Sequence, residues 1–136
     1  MDLIAERLRA VLKVGARPAK LVSCLELLDL LVTSTTQSHA DPYRRAIELA
    51  RRLTEAADSL GNGAVGRSAQ ALFGTTTDTR GRLLKDRRRL AAAELDLMPS
   101  TFRRYYEDDL IEDLAVALWR SSDEPENSWP SSTDIG

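Results

Sequence analysis

Apolar residues recur at the spacing of an α-helix along most of this chain. Residues 3–14 carry one apolar stripe at the i, i+4, i+7, i+8 spacing, formed by Ile4, Leu8, Val11 and Leu12. The same period returns after Asp41 and Pro42, residue types suited to cap a helix and to occupy its first position. No alternating strand pattern of useful length occurs. The sequence therefore predicts an all-α fold, a small bundle of six to seven helices.

Glycines and polar stretches divide this pattern into segments. Gly15, Gly61 to Gly63 and Gly74 are predicted helix stops, since glycine adopts the left-handed conformation common just past a helix end. Further helices are predicted over about 42–60, 64–73, 82–95, 100–107 and 108–120. Another covers Ala19–Val32, which is apolar on more than one face. We therefore expect Ala19–Val32 to be central in the bundle or to form a homodimer interface.

Composition excludes several classes of protein. Cys24 is the one cysteine, so no disulfide can form within the chain, and with His39 it cannot supply a His/Cys metal cage. No run of about 18 apolar residues occurs, and charged residues occupy the N-terminus where a signal peptide needs an apolar stretch. No nucleophile–base pair or phosphate-binding loop stands out. We expect a cytoplasmic, non-enzymatic protein without a membrane span, a metal or a cofactor.

The net charge of −2 hides an uneven distribution along the chain. Residues 80–89 hold six basic side chains and one acidic, whereas residues 107–113 hold five acidic side chains and no basic one. Residues 121–136 are acidic and poor in apolar residues, so disorder is predicted there, with Trp129 a possible anchor for a protein partner. The predicted organisation is a helical bundle or dimerisation region over 1–75, a second region over 76–120, and the acidic tail over 121–136.

The second region contains a segment, residues 88–105, that resembles a helix-turn-helix. Ala92 supplies the small residue needed where the two helices nearly touch. Asp96 stands where the motif usually has glycine, and an Asp side chain tolerates the positive φ of the turn. Ser100 is expected to cap the second helix. Apolar residues fall at the positions that would hold the helices together, namely Ala91, Leu95, Leu97, Phe102 and Tyr105.

The motif, if formed, assigns roles in DNA binding. The second helix would expose Met98, Pro99, Ser100, Thr101, Arg103, Arg104 and Glu107. Arg103 and Arg104 would read guanine edges through paired hydrogen bonds, with Ser100 and Thr101 beside them. The phosphate contacts would come from the basic run on or before the first helix: Arg82, Lys85, Arg87, Arg88 and Arg89.

A broader resemblance covers about residues 42–120. The stretches at 66–74, 79–89 and 100–107 are similar, in spacing more than in identity, to a small helical module recurrent in actinobacterial regulatory, signalling and conflict-system proteins. The resemblance implies a regulatory or adaptor role without chemistry of its own. In that family the second helix often continues into a basic patch, whereas here Glu107, Asp108 and Asp109 follow.

Two functions remain from these patterns. The first is a DNA-binding transcriptional regulator that uses the helix-turn-helix-like segment. The second is a non-catalytic protein-interaction adaptor in a regulatory or defence system. Carboxylates beside the second helix favour the adaptor, because they would repel DNA phosphates.

Overall fold

The computed structural model describes residues 2–31 and 41–122, and every regular element in these two stretches is an α-helix. The predicted all-α bundle is confirmed. The predicted loop at 33–40, with His39, lies outside the described residues. The predicted disorder over 121–136 is wrong at its start, because residues 121 and 122 belong to the last described helix; the rest of that tail, with Trp129, lies outside the described residues. The eight helices of the described part are α1 (Asp2–Val14), α2 (Pro18–Leu21), α3 (Leu25–Leu31), α4 (Pro42–Ser59), α5 (Ala64–Phe73), α6 (Leu84–Glu94), α7 (Pro99–Tyr105) and α8 (Glu107–Ser122).

Three helix ends lie where the sequence predicts them, at a capping aspartate and at two glycines. The Asp41 carboxylate accepts a hydrogen bond of 3.3 Å from the backbone N–H of Arg44, and Pro42 opens α4. Gly74 ends α5 in the left-handed conformation with φ 69°, and Gly15 follows α1 with φ 86°.

The predicted helix over Ala19–Val32 is wrong, because two short helices separated by a turn occupy this segment. The Ser23 hydroxyl and its backbone N–H both donate to the Lys20 carbonyl oxygen, at 2.9 and 3.3 Å, which replaces α-helical bonding with a tight turn. The turn redirects the chain so that apolar residues of both helices enter one core. These buried residues are Leu21, Cys24, Leu27, Leu28 and Leu31.

One hydrophobic cluster extends from Ile4 on α1 to Leu118 on α8. The helix α8 packs on α1 and α4, while α5 packs on α6. This cluster includes residues on both sides of the predicted boundary between residues 75 and 76. None of the described helices combines the length and the apolar character needed to cross a bilayer.

Candidate nucleic-acid interface

The turn between α6 and α7 has the positive φ at Asp96 that the sequence predicts. Asp96 has φ 60° and is the one non-glycine residue of the described chain with a positive φ. The backbone N–H of Leu97 donates to the Ala92 carbonyl oxygen at 2.9 Å, and that of Asp96 donates to Ala93 at 3.0 Å. These two bonds form a Schellman motif with Asp96 in the position that glycine usually takes. The predicted turn at Asp96 is confirmed.

Small and apolar side chains join α6 and α7 to the core. Ala91 and Ala92 are fully buried, as is Phe102 on α7. The buried Ser68 hydroxyl of α5 donates to the Ala91 carbonyl oxygen at 2.9 Å, which fixes α6 against α5. Ala92 and Phe102 are thus buried, as the sequence predicts.

The helix α7 presents a basic outer face. Ser100, Arg103 and Arg104 are exposed, and Thr101 is half-buried. Neither Arg103 nor Arg104 forms an ion pair with any residue in the described part of the chain, although the Arg104 guanidinium lies 5.7 Å from the centre of the Tyr105 ring. Both guanidinium groups are therefore available to a ligand.

Two details of α7 differ from expectation. Tyr105 is 64% exposed rather than packed between the helices, since Phe102 already fills the inner face of this seven-residue helix. Ser100 does not cap the helix, because α7 begins at Pro99 and its N-cap position is Met98, which makes no side-chain cap bond. Met98 is 69% exposed and Tyr106 is 43% exposed. An apolar rim of Met98, Tyr105 and Tyr106 thus accompanies the basic face.

Three of the five expected phosphate-binding residues reach the surface. Arg82, Lys85 and Arg89 are exposed at and beyond the start of α6. The Arg82 Nε atom donates to the Asp78 carbonyl oxygen at 2.8 Å, and Arg89 pairs with Asp86 at 3.4 Å. Neither contact prevents these side chains from binding a phosphate. A hydrogen bond to a carbonyl leaves the charge of Arg82 intact, and an exposed i,i+3 ion pair such as that of Arg89 contributes little to stability.

Arg87 does not belong to this surface, and its expected phosphate contact is wrong. Its side chain is 1% exposed. Burial lowers the pKa of the guanidinium, and the charge of Arg88 lowers it further. The guanidinium instead donates to four carbonyl oxygens, those of Leu72 (2.6 Å), Leu12 (2.8 Å), Arg82 (3.0 Å) and Lys13 (3.5 Å).

Arg88 forms an ion pair within the protein. Its Nε and Nη2 atoms donate to the two carboxylate oxygens of Glu107 at 2.8 and 2.9 Å, in the two-point geometry that arginine and carboxylate favour. The Glu107 side chain is only 8% exposed and that of Arg88 is 20% exposed. The expected outward position of Glu107 is therefore wrong, and the Arg88 charge is neutralised by it.

The acidic run on α8 is only partly neutralised. Asp108 pairs with Arg9 of α1 at 2.7 Å. Asp109, Glu112 and Asp113 are exposed, and no ion pair of the described residues includes them. No group of three or more His, Cys, Asp or Glu side chains in residues 2–31 and 41–122 is arranged to hold a metal ion. The run is therefore a negative border beside α7 and shows no cation site.

Comparisons with protein-family models, curated proteins and solved structures gave no match to this chain. The resemblance to an actinobacterial regulatory module stays a prediction.

Proposed function

We propose that this protein is a DNA-binding transcriptional regulator in which α6 and α7 form the helix-turn-helix and α7 enters the major groove. The observation that carries the proposal is the joint geometry of the turn and of α7. A left-handed Asp96 closes a short turn over the buried Ala92, and Arg103 and Arg104 extend from the helix that follows.

The two arginines suit the reading of base edges. An arginine side chain donates two parallel hydrogen bonds to the O6 and N7 atoms of guanine, and each such contact contributes about 1–3 kcal/mol of discrimination. Arg82, Lys85 and Arg89 would then contact phosphates at the start of α6 without reading sequence. Such a regulator acts in the cytoplasm and carries out no chemistry.

A dimer would place two copies of α7 on two half-sites of an operator. The homodimer through Ala19–Val32 was expected because this segment is apolar on more than one face, but its leucines at 21, 27, 28 and 31 are buried within the chain. Within residues 19–31, which the structure describes, Val22 is the large apolar side chain left at the surface, at 41% exposed. Analytical ultracentrifugation with and without DNA tests whether dimers form.

The central experiment measures DNA binding by fluorescence anisotropy. The probe is a randomised duplex library enriched on the wild-type protein, titrated at about 50 and 200 mM salt. The double variant R103A/R104A is expected to bind the enriched duplex at least tenfold more weakly. The control R44A/R120A removes two exposed arginines outside α6 and α7 and is expected to bind as the wild type does.

Two results would contradict the proposal. One is that the wild type retains no duplex at the lower salt concentration. The other is that R103A/R104A and R44A/R120A bind the enriched duplex equally well, since the α7 arginines would then not read sequence.

A second candidate function, a protein-interaction adaptor, is favoured by the apolar rim. Tyr, Met and Arg are enriched at protein interfaces, and the rim places Met98, Tyr105 and Tyr106 beside Arg103 and Arg104. The acidic border on α8 would tolerate a protein partner better than a duplex. Two results together would establish the adaptor. Peptides selected on the wild type should no longer bind the Y105A variant, and the wild type should fail to bind DNA.

A further inference from the structure

A second cluster of cations lies at the opposite end of α6 from the turn. The Arg17 Nη1 atom lies 3.4 Å from the point that a Cβ atom would occupy at Gly81. Gly81 has φ 88°, and its neighbours Arg80 and Arg82 are both exposed. The fold therefore places the Arg17 guanidinium against a loop that carries an arginine on each side of the contact, although Arg17 and Arg80 are 63 positions apart in the sequence.

Arg80 borders the same region of the surface. It lines a shallow pocket of about 450 Å³ together with Ala16 and Pro18, the two chain neighbours of Arg17. Both arginines are exposed. The linker between α1 and α2 and the loop before α6 thus form one continuous surface.

The positive charge of this surface is not neutralised by ion pairs. Neither Arg17 nor Arg80 belongs to an ion pair among residues 2–31 and 41–122, and the same holds for Lys85. Glu55 lines the pocket, but its carboxylate accepts a hydrogen bond of 2.6 Å from Arg51. Asp86 pairs with Arg89, and the exposed Asp78 is the remaining carboxylate of the loop. Uncompensated like charges held together raise the free energy of the fold and attract a polyanion.

We propose that Arg17 and Arg80 contact the phosphodiester backbone of the DNA that α7 reads. This inference rests on the proposed function and adds a surface to it. Arg17 and Arg80 would take the place of two expected phosphate contacts in the basic run, since Arg87 is buried and Arg88 pairs with Glu107. Arginine suits this role because its guanidinium forms paired hydrogen bonds with phosphate oxygens.

Helix α6 lies between the two basic surfaces along the chain. Helix α6 has 11 residues and is therefore about 16 Å long. The loop carrying Arg80 precedes its first turn, and α7 follows its last. The major groove of DNA is about 12 Å wide, so its walls lie about 6 Å from the groove centre, and a contact about one helix length away from α7 would fall beyond the near wall, on the flanking backbone.

The test compares the salt dependence of binding to the enriched duplex. Each phosphate contact contributes about 0.9 to the slope of log K against log salt concentration, so R17Q/R80Q is expected to lower its magnitude by about 1.8. The loss should be the same on any duplex sequence, because phosphates carry no sequence information. R17K/R80K keeps both charges and should keep the slope. R44Q/R120Q is the matched control for the change in net charge.

Thermal unfolding separates binding from structure. R17Q/R80Q should melt at or slightly above the wild-type midpoint, because it removes two like charges. A wild-type slope in R17Q/R80Q, together with weakened binding in R103A/R104A, would overturn this inference and leave the proposed function standing. Equal loss in the Gln and Lys variants with a lowered midpoint would also overturn it. Absence of DNA binding by the wild type would instead overturn the proposed function itself.

Discussion

The buried guanidinium of Arg87 donates a hydrogen bond of 2.8 Å to the carbonyl oxygen of Leu12, which lies 75 residues earlier in the chain. The same group bonds Leu72 near the end of α5 at 2.6 Å. Helix ends carry unpaired carbonyl groups and a partial negative charge, so one cation placed between two of them satisfies both. Arg87 therefore joins α6 to the ends of α1 and α5.

At the end of α5, every terminal carbonyl group has a hydrogen-bond donor. All four of its terminal carbonyl oxygens accept a hydrogen bond: Gln70 from Thr75, Ala71 from Gly74, Leu72 from Arg87 and Phe73 from Ala16. Backbone N–H groups supply three of the four donors, and only Arg87 supplies one from a side chain. A buried carbonyl without a partner costs about 1–3 kcal/mol.

Arg87→Met is expected to lower the free energy of unfolding by about 3 kcal/mol, because it strands at least two buried carbonyl groups. For a domain of this size the thermal midpoint should fall by about 10 °C. Circular dichroism with urea and heat measures both quantities. Arg89→Met alters an exposed arginine two positions away and should change stability by less than about 0.5 kcal/mol. Equal stability of the two variants would contradict the role assigned to Arg87.

The pair between Arg88 and Glu107 gives a second prediction, concerning the junction of α6 with α8. A double-mutant cycle with R88A and E107A is expected to yield a coupling energy of about 1–2 kcal/mol, because both charges are largely removed from water and aligned at two points. Arg9 and Asp108 provide the control cycle, since their side chains are 46% and 74% exposed. Their coupling should be below about 0.5 kcal/mol. Equal couplings would show that burial adds nothing to the Arg88 pair.

The contrast between these arginines explains which parts of the structure the sequence could predict. The stop at Gly74, the cap at Asp41 and the turn at Asp96 depend on residues within a few positions, and all three were predicted. Arg87 depends on carbonyl groups 15 and 75 residues away. Within a run of basic residues, nothing local distinguishes the member that points inward from those that point to solvent.

The same reasoning applies to the remaining differences. The break after Leu21 is accompanied by two hydrogen bonds from Ser23 to the Lys20 carbonyl oxygen, and in the sequence a single serine is a weaker signal than the apolar periodicity of the whole segment. Arg17 carries no signal in the sequence, because its proximity to Arg80 is created only when α1 packs beside α5 and α6. The strong local signals at Asp41, Gly74 and Asp96 were therefore predictable, whereas the weaker local signal at Ser23 and the contacts created by packing were not.

Glu48 gives a prediction for the pH dependence of stability. Its carboxylate accepts hydrogen bonds from Arg51 at 2.5 Å and Arg52 at 2.8 Å, and the bond from Arg51 is the main reason why its pKa is lowered. A folded-state pKa below the unfolded value of 4.5 means that the ionised form favours folding. The stabilisation is present above about pH 4.5 and is lost as the pH falls through the folded-state value.

Glu48→Gln should therefore lower the free energy of unfolding by about 0.5–1 kcal/mol at neutral pH, and the difference from the wild type should shrink in acid. Urea unfolding at pH 7 and pH 3 measures this difference. Glu112→Gln changes an exposed glutamate of α8 and should cost less than about 0.5 kcal/mol at neutral pH. If Glu48→Gln were destabilised as much at pH 3 as at pH 7, the ion pairs of Glu48 would not be the cause of the destabilisation.

The positive φ at Asp96 gives the last prediction, which tests the turn on which the proposed interface depends. The left-handed conformation costs about 1–2 kcal/mol for a residue with a Cβ atom and no local hydrogen-bonding group, whereas glycine adopts it without this cost. Asp96→Gly should match or slightly exceed the wild-type free energy of unfolding, and Asp96→Ala should fall about 1 kcal/mol below Asp96→Gly. Ala93→Gly, in the preceding turn of α6, is the control and should instead lower stability by about 0.5–1 kcal/mol. Urea unfolding of the three variants measures this ranking, and a Gly variant less stable than the Ala variant at position 96 would contradict the turn geometry.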